Sequence, residues 1–80
     1  MRVRVLRESA DPLYAVRFYD AEDDLEVIEE YYYYNLKDAR YHFGLFVEDV
    51  DNGEDYSDMY SRITIEDADT GKVLDSLIIV

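Results

Sequence analysis

The sequence predicts an α+β domain: a four- to five-stranded antiparallel sheet with one helix packed on one face, in the order β-β-β-α-β-β. Three observations carry this. Residues 35–50, NLKDARYHFGLFVEDV, place Leu36, Ala39, Phe43, Phe46 and Val50 at spacings of three and four, which aligns them on one side of a helix. The segments around it alternate with period two, as half-buried strands do. Between the last two of these, ADTG at 68–71 is a hairpin turn, with Gly71 able to take a positive φ.

In chain order, residues 1–7 alternate Arg2 and Arg4 with Val3 and Val5 and read as the first strand. ESADP at 8–12 is a turn, because Pro12 restricts Asp11 to extended geometry. Residues 13–20 form the second strand, with Tyr14, Val16 and Phe18 on one face and Ala15, Arg17 and Tyr19 on the other. A carboxylate-rich turn follows at 21–24.

Residues 25–34 are open to two readings. As a strand they set Leu25, Val27, Tyr31 and Tyr33 against Glu26, Ile28, Glu30, Tyr32 and Tyr34; as a helix, capped by Asp20, they align Leu25, Ile28 and Tyr32. Four consecutive tyrosines favour the strand, because aromatic residues suit a pleated surface better than a helix.

Asn35 suits the N-cap of the long helix, with Asp38 completing a weak capping box. The loop DNGEDYSD at 51–58 contains the terminator Gly53. Strands at 60–67 and 72–80 finish the domain. A hairpin loop of either two or four residues places Ile63 and Ile65 with Leu74, Ser76 and Ile78, leaving Val73, Leu77 and Ile79 on the other face. A strand apolar on both faces is central in its sheet or covered by a partner.

Eighty residues support one domain with a modest core, taken as residues 1–80. Without cysteine there are neither disulfides nor thiolate metal sites. No apolar run approaches the roughly 18 residues of a membrane span, and the expected location is the cytoplasm. Twenty Asp and Glu against eight Lys and Arg give a net charge of −12. Such a field steers the protein toward basic surfaces and disfavours nucleic acid and anionic membranes.

Catalysis has little support. His42 is the only histidine and lies off the apolar stripe, so neither a triad nor a conventional zinc site can be assembled. The expectation is a non-enzymatic protein without a cofactor. DVDNGED at 49–55 resembles a calcium loop, but an EF-hand from Asp49 needs Gly and Glu where Glu54 and Tyr60 stand. DADTG at 67–71 has the same defect, leaving at most weak, loop-bound calcium.

The pattern that points to function is tyrosine set among carboxylates. Asp49, Asp51, Glu54, Asp55 and Asp58 surround Tyr56 and Tyr60, and Glu22, Asp23, Asp24 and Glu26 form a second cluster. Glu48, Asp49 and Asp51 stand at a helix C-terminus, where the dipole disfavours negative charge. A tyrosine beside an acid is a receptor for arginine, which stacks on the ring while pairing with the carboxylate. The expected partner is therefore a basic, nucleic-acid-binding protein whose groove these residues would occupy.

In size, charge and sheet-plus-helix layout the chain resembles the small acidic inhibitors encoded by bacteriophages, anti-CRISPR and other DNA-mimic proteins among them. The resemblance implies competitive inhibition in a bacterial host cytoplasm. Two other readings stand beside it. One is a homodimer through Val73, Leu77 and Ile79. The other is solvation in high salt, to which the excess of Asp over Glu, twelve to eight, also conforms.

Overall fold

The computed structural model describes residues 13–79. Four strands, β1 (Tyr14–Asp20), β2 (Val27–Tyr33), β3 (Tyr60–Asp67) and β4 (Val73–Ile78), form one antiparallel sheet in the order β2-β1-β3-β4. One helix, α1 (Leu36–Asp51), crosses one face. The described order is thus β-β-α-β-β and not β-β-β-α-β-β. The strand expected at residues 1–7 and the turn at 8–12 lie outside the described residues. No described helix is long and apolar enough to cross a membrane.

The helix forms where its signals lie. Asn35, extended at φ −134°, accepts from the Asp38 amide at 2.8 Å and caps the first turn. At the other end the Asn52 N–H reaches the Glu48 carbonyl at 3.0 Å, and Gly53 turns the chain at φ +99°. Ala39 and Phe43 are buried against Val16, Phe18, Ile63 and Ile65, with Leu36, Phe46 and Val47 packed around them. The ambiguous stretch after the turn at 21–24 is a strand, pairing Tyr14 with Tyr33 and Val16 with Tyr31.

Three bulges decide which side chains face the helix. In β4 the turn itself pairs Glu66 with Val73, as a four-residue loop requires, but the next pair is Ile65 with Asp75. Leu74 is the extra residue, and it reverses the faces of everything beyond it. Leu77 and Ile79 therefore pack against the core beside Ile63 and Ile65, and Ser76 and Ile78 face outward. This corrects the register read from the sequence. It also removes the outward set Val73, Leu77 and Ile79, because Val73 is on the opposite face from the other two. Among the described residues β4 is an edge strand, not a central one.

A bulge at Ile28 likewise pairs Val27 with Tyr19 and separates it from Tyr31 and Tyr33. The third, at Ser61, turns Tyr60 inward beneath the helix.

The face away from the helix is closed by polar groups. Glu66, only 3% exposed, accepts from the Arg17 guanidinium at 2.7 Å, from Thr64 Oγ1 at 2.6 Å and from the Tyr19 hydroxyl. Arg17 also donates to Glu30 at 3.0 Å, and the Arg62 guanidinium lies 3.9 Å over the Tyr19 ring. Burial alone would push the Glu66 carboxyl up, but the hydrogen bonds from Thr64, Tyr19 and Arg17 outweigh it and hold it below the ordinary value.

Two predictions test these faces. Leu77→Asp is expected to lose about 1.5–3 kcal/mol of stability in urea unfolding, and Ile78→Asp to stay within about 0.5 kcal/mol. The reverse ranking would restore the bulge-free register. Removing the carboxylate with Glu66→Ala leaves Arg17 with Glu30 alone and the Thr64 and Tyr19 hydroxyls without their acceptor, and is expected to cost about 3 kcal/mol at neutral pH. Because the folded carboxyl titrates below its unfolded value, the stability it confers is complete above the unfolded pKa and disappears as pH falls through the folded one. Urea melts between neutrality and strong acid should show that acid limb, flattened in Glu66→Gln.

Candidate functional site

The sheet order brings two acidic segments, distant in sequence, to one end of the molecule. β1 finishes at Asp20, paired with Tyr60 at the start of β3. The Ala21 amide then donates to the Met59 carbonyl at 3.2 Å, joining the β1–β2 turn to the loop that leads into β3. α1 ends at the same place, because that loop begins at its C-terminus.

Each segment is shaped by its own acids. In the turn the Glu22 amide donates to Asp20 Oδ1 at 2.9 Å and the Leu25 amide to Asp23 Oδ1 at 3.0 Å, so short carboxylates act as local turn formers. Arg62 Nη2 holds the Asp24 carbonyl at 2.8 Å. Glu22, Asp23, Asp24 and Glu26 all remain exposed. In the loop, the Glu54 amide returns to the Asp49 carbonyl at 2.9 Å, and the Ser57 amide caps Asp55 Oδ1 at 2.9 Å. The hydrogen bonds from the Ser57 side chain and amide hold the Asp55 carboxyl below its ordinary value. Asp49, Asp51, Glu54, Asp55 and Asp58 are exposed.

The two tyrosines of the loop differ in role. Tyr56 is half-buried, its ring 5.4 Å from that of Phe46 and its hydroxyl donating to Asp49 Oδ2 at 2.8 Å. That bond raises its pKa, burial adding to it. Tyr60 is 5% exposed, its ring tilted against Phe18 at 4.9 Å, with its hydroxyl donating to Glu29 at 2.8 Å. Burial, then the bond to Glu29, pushes it up to about 12. Tyr60 is thus a core residue and offers no stacking face, a correction to its reading as a surface aromatic.

The charge is arranged against the helix dipole. α1 carries no basic residue in its last turn, while Glu48, Asp49 and Asp51 gather there. Its cations, Lys37 and Arg40, are in its first half. Among the described residues no group of three acids or histidines converges closely enough to hold a metal ion. Among the described residues these acids form no ion pair, so the arrangement can present many negative charges to something basic.

Sequence reading placed His42 off the packed stripe, yet it is half-buried between sheet and helix. Its Nδ1 is 2.6 Å from the Tyr33 hydroxyl, and its ring is 5.0 Å from Tyr31 and 5.8 Å from Phe18. A second helical stripe, Asp38, Tyr41, His42 and Leu45, lines a cleft with Tyr33. The spacing of three and four among these residues was the available signal.

No protein-family model matches the chain, and no curated protein or solved structure matches it either.

Asp51→Asn is expected to raise stability by a few tenths to about 1 kcal/mol, because it relieves an unfavourable dipole contact. In Asp49→Asn the same gain is offset by a weakened bond from Tyr56, leaving stability nearly unchanged. Thermal melts of the two single variants separate these outcomes. A clear loss in Asp51→Asn would make that acid structural.

Proposed function

We propose that the protein is a binding module that places its acidic end in an arginine- and lysine-rich groove of a nucleic-acid-binding protein. It then competes with the nucleic acid by presenting carboxylates where phosphates would lie. The observation that supports this reading is the junction at Ala21 and Met59, which sets Glu22, Asp23, Asp24 and Glu26 beside the loop carrying Glu54, Asp55 and Asp58. An extended negative surface of this kind matches a basic channel in sign and steers encounter. Tyr56, anchored on Phe46 and Asp49, supplies the aromatic group beside it. The setting is the cytoplasm of a bacterial host, where the partner is a nucleic-acid-binding effector.

A pull-down from bacterial lysate at low and high salt identifies the partner, and competition against labelled DNA or RNA on that partner tests the mechanism. Reversing Asp51, Asp55 and Asp58 to Lys should lower the association rate by about tenfold or more, with a smaller effect on dissociation, since exposed rim charges act on encounter. Tyr56→Ala should instead accelerate dissociation by about tenfold, as loss of a packed anchor does. Simultaneous binding of protein and nucleic acid without loss of affinity would sink the proposal.

A further inference from the structure

Helix α1 ends on the dipeptide Asn52-Gly53, which so far has figured only as its C-cap and turn. The sequence holds two asparagines and no glutamine, so carboxamides are scarce in a chain with twenty acids. The two asparagines are placed differently. Asn35 precedes Leu36, and its side chain is tied at both atoms: Oδ1 accepts from the Asp38 amide at 2.8 Å and Nδ2 donates to Asp38 Oδ2 at 3.2 Å. Asn52 is exposed and precedes an exposed glycine.

An asparagine side chain and the next backbone nitrogen are spaced to close a five-membered ring, and the side chain of the following residue ordinarily obstructs that closure. Gly53 has no side chain, which gives its backbone the freedom the ring needs. Apart from its own chain neighbours, no heavy atom lies within 4 Å of where a Cβ would stand. What restrains the reaction is the helix end. The nitrogen that must attack belongs to the Gly53 N–H, which donates to the Val50 carbonyl at 3.0 Å. On either side the Asn52 N–H reaches the Glu48 carbonyl at 3.0 Å and the Glu54 N–H the Asp49 carbonyl at 2.9 Å. While these bonds hold, the nitrogen keeps both its proton and its orientation. Helix ends fray and are among the parts of a fold that open most readily.

We propose that Asn52 is a self-modification site, converting to aspartate and isoaspartate through a succinimide at a rate set by opening of the helix C-cap. Once the bond to Val50 opens, the Gly53 nitrogen gives its proton to solvent and attacks Asn52 Cγ. The N–Cγ bond forms, the Cγ–Nδ2 bond breaks, and ammonia leaves with a proton taken from water. Water then opens the ring at one of its two carbonyls. Attack at Cγ restores the ordinary main chain with aspartate at position 52. Attack at the main-chain carbonyl leaves the chain running through the side-chain methylene, as isoaspartate. One water is consumed and one ammonia released, with no oxidant or reductant. Both products add a negative charge to a chain already at −12, next to Asp51 and Glu54. Isoaspartate alone lengthens the main chain, and so draws the Gly53 and Glu54 amides away from Val50 and Asp49. The reaction is intramolecular, so the inference is independent of any partner of the acidic end.

The test holds the full chain at neutral pH for several weeks, folded in buffer and unfolded in guanidinium chloride, with peptide mapping by mass spectrometry. The expected result is a gain of about one dalton confined to the peptide spanning residues 52 and 53 and eluting as two isomers, with the folded chain reacting about tenfold or more slowly than the unfolded one. Asn52→Gln keeps the carboxamide but would have to close a six-membered ring, and should abolish the gain. Asn52→Asp supplies the charge without the added methylene. Hydrogen exchange at the Gly53 and Glu54 amides should stay within about threefold of the starting protein in Asn52→Asp and accelerate by about tenfold or more in the isoaspartate product. Equal rates in the folded and unfolded chains would overturn control by the cap. A folded chain that stays unchanged after the unfolded one has fully converted would overturn the site itself, as would a gain that persists in Asn52→Gln.

Discussion

The ring of Phe18 is the contact on which the remaining packing depends. It is almost wholly buried at the middle of the central strand and lies 5.0 Å from Phe46 of the helix, 4.9 Å from Tyr60 of β3 and 5.9 Å from Tyr31 of β2. Each tilted or edge-on aromatic pair contributes about 0.5–1.5 kcal/mol beyond the area it buries. A core with so few fully buried large side chains has little else to fix the helix angle. The position of the helix then sets where its C-terminus and the acidic loop fall, so the site inherits its geometry from this one ring.

A sheet with a single helix has one apolar layer, and its other face must be reconciled with water. Among the described residues that is done with a charged cluster, Glu66 held by Arg17, Thr64 and Tyr19. Such groups contribute little net free energy when complete and are costly when broken. They also fix register, since Arg17 meets both Glu30 and Glu66 only if β1, β2 and β3 align as observed. The acids of this protein therefore divide into those that build the sheet and those that face outward at its end.

Much of the fold was legible in the residues. Asn35, the stripe from Leu36 to Phe46 and Gly53 mark the helix by local physics alone, and the structure follows them closely. Strand positions were legible for the same reason. Facing was not, because period-two reasoning assumes that no residue is inserted. Bulges at Ile28 and Leu74 break that assumption and move Val27, Leu77 and Ile79 to faces opposite those read from alternation, and a third at Ser61 turns Tyr60 inward. A bulge depends on how two distant strands meet, and no single segment encodes it. The acidic clusters were visible as runs, yet their meeting at Ala21 and Met59 follows from the order β2-β1-β3-β4, which is a property of the whole chain. Tyr60 was misread because its neighbours in sequence are acids, whereas its neighbours in space are rings.

The hydrogen bond between Tyr33 and His42 has a consequence for how the protein's charge responds to its surroundings. Histidine is the one side chain whose ordinary pKa lies close to neutrality, and this chain has a single copy. Its burial against Tyr33 and Phe18 pushes that copy down, away from physiological pH. At the basic side, burial and carboxylate neighbours push Tyr19, Tyr31, Tyr33, Tyr56 and Tyr60 upward. The shifts of the histidine and of these tyrosines both run away from neutrality, which makes the negative field less responsive to pH there. Ionic strength, through screening, is the direct control on its reach.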